Sequence, residues 1–486
     1  MAGTLDNHYQ MGILFLISAV LLVFTMRLCA PPDLMDRAQD RAVAYILDVT
    51  ENGHWPCQLD WKGRISSKPP MYTWVAALFS LMLGKVCLFS IYLPCLLSTI
   101  GCVFIIYYLG SRYFGWSTGI YGGLMYLFSH LGVRQIALAR TDALFSFTIA
   151  LAALIAFNAW IKGSGWTIFW IVCAISTLTK GPLGPIIAGL GLLAAAWGRK
   201  EEDCPTLRGT HIPGICLFLV VTLGWFALAY WYMGKPVFDT MIGKELAGQS
   251  IGREAPPLYI RFWKPTGYVI ARYAPWGILT FFGLYRIIRK PSRDVETRSL
   301  ERFLWCWFMG GLLIFSLAKH QRHDLVLPLL VPASVIGGRE LTLLIKARTR
   351  RHVLLVATII ILIFSSIFTW YYHIKRPKKR VVRKTTEIRK LANLIAKKNT
   401  RNFPIDYVNT TFILQYYLGT MKIHRSLEEV EEILRAPEPR WVVIRRSEKS
   451  ARLIDELASR FNRVLVWKDS LGERFYVLSN RLPGAT

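Results

Sequence analysis

Residues 11–26 read MGILFLISAVLLVFTM, a run with no charged side chain. No A-x-A-like cleavage signal follows it and further apolar runs succeed it, so it reads as a retained signal anchor. Runs near bilayer length recur at 91–109, 116–132, 141–160, 166–179, 181–198, 211–232, 267–286, 302–318, 326–344 and 352–372. Each is predicted to cross the membrane as a helix, because lipid leaves backbone polar groups no partner but one another. The runs at 166–179 and 181–198 are short and meet at the Gly/Pro-rich KGPLGP, which predicts tilting, breakage or partial re-entry. YTWVAALFSLMLG (Tyr72–Gly84) is too short to span and is predicted to lie at the membrane surface.

Composition agrees. With 53% hydrophobic residues over 486 positions and a mean hydropathy of +0.34, the chain is too apolar for an ordinary soluble domain. The net charge of +28 would suit nucleic acid if it were spread over one face. Instead many Lys and Arg punctuate the ends of apolar runs, where such charges set topology and meet headgroups, so no nucleic-acid partner is expected. The nine Cys show no zinc spacing; most read as packing residues, with a Cys29–Cys57 bridge as one option.

The charges also predict sidedness. With the N-terminus inside, Arg112, Lys162, Arg199-Lys200, Arg286, Arg289-Lys290 and the KARTRR run at 346–351 all fall inside. The loops 31–70 and 233–266 then lie outside, with Asp142, Lys180 and Lys319. His373–Lys384, HIKRPKKRVVRK, opposes the pattern: it is strongly basic yet falls outside. Headgroup contact or a miscounted span would account for it.

From about residue 385 the pattern changes to a soluble unit. TEIRKLANLIAKK, SLEEVEEILRA and ARLIDELASRF have helical spacing, the second with a capping box from Ser426 to Glu429. YVNTTFILQYYLG, WVVIRR, RVLVWKD and RFYVLSN read as strands. The expected fold is an all-α polytopic bundle of about 11–13 spans, with juxtamembrane helices on its outer face. It occupies residues 1–375, and a small α/β domain occupies 385–486.

The polar residues at the outer end are the candidate site. The loop Pro31–Pro70 carries Asp33, Asp36, Arg37, Asp40, Arg41, Asp48, Glu51, His54, Asp60 and Lys68. Two prolines after Lys68 stiffen the backbone and hold the ammonium near the interface, where a phosphate headgroup would meet it. Arg140 and Asp142 open an apolar helix in ALARTDALF; the bland alternative is a structural ion pair at a helix start. Lys180 stands in TLTKGPLGP, Arg272 in RYAPWG, Tyr259 in the outer loop before it, and Lys319, His320, Arg322, His323 and Asp324 in SLAKHQRHDLVLP. Together these cations would suit phosphate or pyrophosphate, although each alone could be a snorkelling anchor. No P-loop, dinucleotide fingerprint or HExxH motif occurs.

In order and context, NGHW, SKPPMYTW, ARTDALF, TKGPLGP, APWG and FSLAKHQRHDLVLPLLVP resemble polytopic, lipid-phosphate-sugar-dependent glycosyltransferases of the GT-C type. That family includes protein O-mannosyltransferases and the aminoarabinose transferase of lipid A. The resemblance covers roughly residues 10–345, and the terminal domain is similar to one that bacterial members carry. It implies sugar transfer from a polyprenyl-phosphate donor to a protein, lipid or glycan acceptor at the outer face of the cytoplasmic membrane. Lys68 matches the lysine that holds the donor phosphate, with Arg41, Arg140, Arg272 and Lys319 as further phosphate ligands, and Asp142 matches the second acidic position. The usual catalytic Asp falls on Ala38, followed by Gln39, so Asp40 and Asp36 flank the gap as candidate bases. Lys180, Tyr259, His320, His323 and Asp324 are further cleft candidates; His323-Asp324 stands where many relatives carry an aromatic. The sequence identifies no cofactor, though the outer carboxylates could hold a divalent cation. The competing classes are a flippase for a lipid-linked saccharide and a non-catalytic membrane scaffold.

Overall fold

A computed structural model describes the chain except residues 1, 33, 36, 200, 202–203, 242, 244–256, 347–348 and 482–486; for 2–8, 37 and 449 it describes the backbone alone. The chain divides into two compact units. The first comprises residues 1–29, 67–72 and 92–370; the second comprises 30–66, 73–91 and 371–486.

In the first unit every predicted span is helical. Among the described residues, seven helical segments are long and apolar enough to cross a membrane: Tyr9–Cys29, Leu88–Phe114, Asp142–Lys162, Ile212–Met233, Val295–Leu317, His323–Ile345 and Arg350–Lys378. This is a multi-pass membrane protein. Two expectations need correction. The run 267–286 is not one helix: it forms Lys264–Arg272 and Gly277–Arg289, because Pro275 has no N–H to continue the ladder. The run at 166–179 is an unbroken helix, Trp166–Lys180, whereas its neighbour breaks into Leu183–Gly189, a 3-10 turn and Leu193–Trp197.

Close backbone contact fixes the centre of the bundle. Trp116–Leu127 crosses Leu330–Ile345 where a Cβ on Gly338 would lie 2.7 Å from both the Gly122 nitrogen and the Thr118 carbonyl oxygen. Small residues permit such crossings, and without an aqueous hydrophobic effect close packing is what joins helices in lipid. Helix direction then separates two polar ends. Val295–Leu317 carries Glu301 near its start and delivers Lys319 just past its finish; at 1.5 Å per residue these are ~27 Å apart along the axis. At the Glu301 end, buried Glu301 pairs with Arg339 (2.8 Å) and buried Glu340 with Arg286 (3.2 Å). Asp142, Lys180 and Asp324 lie at the other end.

The second unit contains a four-stranded sheet: β1 (Ile405–Val408), β2 (Trp441–Arg445), β3 (Asn462–Lys468) and β4 (Arg474–Ser479), in the order β1-β2-β4-β3. β1 pairs parallel to β2, and β4 pairs antiparallel to both β2 and β3. Val442, Ile444 and Leu478 form its core with Leu434 and Leu457 from helices Val430–Arg435 and Ala451–Arg460. Half of the expected capping box is present: the Ser426 N–H donates to Glu429 Oε1 at 3.2 Å. YVNTTFILQYYLG is not one strand. Only β1 is extended there; Asn409 turns to φ 51° and Phe412–Leu418 becomes a helix against Arg380–Lys398.

The basic run that opposed the charge pattern belongs largely to this unit. Lys384 Nζ meets Glu473 at 2.5 Å, and Arg445 reaches the same carboxylate at 2.6 Å.

Candidate active site

Lys180 and Asp142 meet because two helices run antiparallel. Asp142 is the first residue of Asp142–Lys162, and Lys180 is the last of Trp166–Lys180. Each charge therefore sits at the helix end whose dipole favours it. Gly181, at φ +99°, followed by Pro182, stops the second helix there. Lys180 Nζ lies 2.5 Å from Asp142 Oδ1 and 5.3 Å from the Phe145 ring centroid. Lys68 is exposed in the bend before Pro69-Pro70, near enough for its charge to act on Asp142, as does Arg140.

Beside this trio stands a second centre. Asp324, 2% exposed, accepts from Arg134 Nη1 at 2.6 Å, Arg140 Nη1 at 2.8 Å, Gln135 Nε2 at 3.0 Å and Arg322 Nη2 at 3.0 Å. His323 Nε2 faces Arg134 Nη1 at 2.6 Å; a guanidinium only donates, so Nε2 is the accepting nitrogen. Asp324, one of the cleft candidates, thus holds three arginines and Gln135. On the adjoining short helix, His130 Nε2 lies 3.5 Å from Arg272 Nη1.

Arg134 and Arg27 were missed. Arg27 is buried and donates to the carbonyls of Val133 (3.1 Å) and Ala137 (3.0 Å), pinning the segment that leads to Arg140. Its signal was an arginine closing the first span, and that of Arg134 a second cation six residues before Arg140 in HLGVRQIALAR; both resemble topology signals. Not every candidate joins the cluster. Tyr259 is 74% exposed on the short helix Leu258–Arg261 and has no hydrogen bond to these groups. Lys319 is exposed, with no ion pair among the described residues, and His320 is half-buried.

In the second unit, Asp40 lies in the first turn of Arg37–Asn52, half-buried, its Oδ1 2.6 Å from the Arg41 nitrogen. Arg41 is exposed, Ala38 is half-buried and Gln39 is fully buried. Asp36 lies outside the described residues, as does Asp33. Two other loop carboxylates are structural. Asp48 accepts from the Leu59 N–H (2.7 Å), Asn52 (2.8 Å) and His54 (3.0 Å), and Asp60 from Arg64 Nε (2.8 Å). Among the described residues no group of three His, Cys, Asp or Glu could hold a metal ion. Cys29 and Cys57 are free thiols, and burial pushes Cys57 up to about 12. The loop packs on the sheet domain: Trp61 stacks on Phe412 at 5.1 Å and its carbonyl accepts the His424 N–H at 2.9 Å.

Residues 67–227 match the sequence profile of the dolichyl-phosphate-mannose-protein mannosyltransferase family. The chain is 25% identical over 297 residues to the undecaprenyl phosphate-alpha-4-amino-4-deoxy-L-arabinose arabinosyl transferase of Pseudomonas aeruginosa (strain PAO1), covering 57% of this chain and 50% of that protein. An uncharacterized protein of Aquifex aeolicus is 26% identical over 281 residues, 57% of this chain and 60% of its own length. The crystal structure of ArnT from Cupriavidus metallidurans bound to undecaprenyl phosphate superposes with a TM-score of 0.69 at 15% identity, covering 96% of this chain and 98% of that one. Over those stretches this chain is similar in sequence to lipid-phosphate-sugar-dependent glycosyltransferases. Its fold is the GT-C fold of ArnT. An oligosaccharyltransferase from Archaeoglobus fulgidus is a more distant structural likeness, with a TM-score of 0.51 at 11% identity over 85% of this chain and 64% of that one. By sequence, the chain spans about half the length of the curated transferases it matches.

Proposed function

We propose that this protein is an inverting glycosyltransferase that moves a sugar from a polyprenyl-phosphate donor to a protein, lipid A or other glycan acceptor. The observation that carries the reading is the grouping of Lys68, Asp142, Lys180 and Arg140 at one end of a bundle with the GT-C fold. On the positive-inside pattern that end would face the extracytoplasmic side of the cytoplasmic (inner) membrane, as would the loop 31–70 and the C-terminal domain.

The chemistry follows from the charges. The donor's anomeric carbon bears a phosphate that departs as an anion, so charge stabilisation matters more than acid catalysis. Lys68, with Arg140 and Arg272, would take up that charge. Lys180 compensates Asp142, which lets the carboxylate stay ionised beside the lipid and orient the acceptor. Asp40, or Asp36 if Asp40 is not the base, would remove the acceptor's proton. Attack opposite the phosphate inverts the anomeric centre, and closure of the loop would exclude water.

The test is donor binding and turnover in proteoliposomes with a labelled polyprenyl-phosphate sugar. Lys68→Ala is expected to weaken binding and to slow turnover by about 10²–10³-fold, the cost of one lost charge-stabilising group. Unchanged values for both would sink the reading. Full activity in Asp40→Asn with none in Asp36→Asn would transfer the base role to Asp36.

A further inference from the structure

We propose that the basic segment after the last span is a docking surface for anionic phospholipid headgroups. The inference is independent of the transferase reading. It starts from charge order: no Asp or Glu lies between Glu340 and Glu387, while Lys and Arg flank the Arg350–Thr369 helix at both ends. The basic run that precedes this helix conforms to the positive-inside pattern. The run that follows it does not, so topology does not account for its charge.

The structure sorts that second run. Only 11% of the residues in its most apolar stretch are buried within the protein, so much of the span faces lipid. It ends in Trp370, 51% exposed, with Tyr371 and Tyr372 next. Exposed Trp and adjacent Tyr mark the depth of the lipid–water interface, one step below the phosphates. Two of the following cations face inward: Arg376 is 8% exposed and lies over the Tyr372 ring at 5.0 Å, and Lys384 binds Glu473. Lys375, Lys378, Lys379, Arg380 and Arg383 are exposed. Lys379 is steadied by Tyr371, its Nζ 3.4 Å from the hydroxyl. The next carboxylate in the chain, Glu387, pairs with Lys390, and Glu473 serves Lys384 and Arg445.

Five outward cations directly beyond an interfacial aromatic cluster are the complement of a layer of phosphodiester monoanions. They do not form a pocket for one free phosphate, because they are strung along the chain and lie open to solvent. Attraction of this kind adds up over the cations and decays within a Debye length, ~8–10 Å in physiological salt. It therefore predicts preference for anionic over zwitterionic lipid, together with sensitivity to salt.

The full chain in phosphatidylcholine vesicles, probed by electron paramagnetic resonance with spin-labelled phosphatidylglycerol and phosphatidylcholine, reads that preference directly. Wild type is expected to favour the glycerol lipid several-fold, and the preference should fall towards parity at about 0.5 M salt. Substituting all five cations by Gln should abolish it, and five Lys/Arg exchanges should preserve it. If the Gln variant does not assemble, the pair Lys378→Gln/Arg380→Gln should show a partial loss. Equal selectivity in wild type and the Gln variants would overturn the proposal. So would retention there combined with loss in Arg350→Gln/Arg351→Gln, which would move the lipid site to the other end of the span.

Discussion

Arg140 donates to Asp324 Oδ2 at 2.8 Å while its charge also acts on Asp142, two residues away. One buried carboxylate thus holds a guanidinium beside the pair that the proposed chemistry uses, and the two polar centres are linked through a single side chain.

Removing that carboxylate should cost more than removing any one arginine. Asp324→Asn leaves Arg134 and Arg140 in a buried setting without their shared counter-ion, a loss expected at about 3–5 kcal/mol. Arg322, 38% exposed, is a peripheral partner, and Arg322→Gln should cost less than about 1 kcal/mol. Thermal unfolding of the purified variants in one detergent separates the two. Equal melting temperatures would refute the role given to Asp324.

Lys180 and Asp142 should behave as one unit. Each single variant, Lys180→Met or Asp142→Asn, leaves a partner uncompensated near lipid, and the double variant removes both problems. Turnover losses should therefore be far from additive, with a coupling of about 0.5–3 kcal/mol in the double-mutant cycle. Additive losses would mean that the 2.5 Å contact has no functional weight.

Acid should loosen the first loop from the sheet domain. Burial, then the Lys62 charge, holds His424 down at about 4 against an ordinary value of 6.5. Between those values the unfolded chain binds a proton that the folded chain does not, so this contribution is complete above pH 6.5 and lost as pH falls towards 4. Hydrogen exchange at residues 59–66, corrected for the intrinsic rate, should rise over that range in wild type. His424→Asn should flatten the response, and a pH-independent wild type would contradict it.

The helix crossing at Gly338 should tolerate no added methyl. Gly338→Ala puts a Cβ 2.7 Å from backbone atoms of the facing helix, and such overpacking costs about 1–3 kcal/mol. Gly189, where an added methyl would meet nothing within 4 Å, is the control: Gly189→Ala should be neutral or stabilising. Unfolding temperatures of the two variants give the comparison.

The bundle was legible because lipid permits few solutions for an apolar run, and each predicted span is helical. Errors arose where local pattern competes with context. Phe412–Leu418 has strand-forming residues but packs as a helix once Asn409 has turned the chain, and Pro275 was counted inside a span it interrupts. Within the site, Arg140, Asp142, Lys180 and Asp324 stood out as ionisable groups beside hydrocarbon. Their pairing did not, because Arg134 and Asp324 are 190 residues apart in sequence. Asp48 and Asp60 read like reactive loop carboxylates; only coordinates reveal that backbone amides and Arg64 already occupy them.

The stack of Trp61 on Phe412 ties the fate of two distant stretches of chain together. A truncation after the last span would leave the bilayer portion able to insert, yet strip the first loop of its platform, so such a fragment should be present in membranes and inert. Recombination between relatives meets the same obstacle: a terminal domain taken from another lineage must bring a matching loop, and selection would have to move the pair as one block.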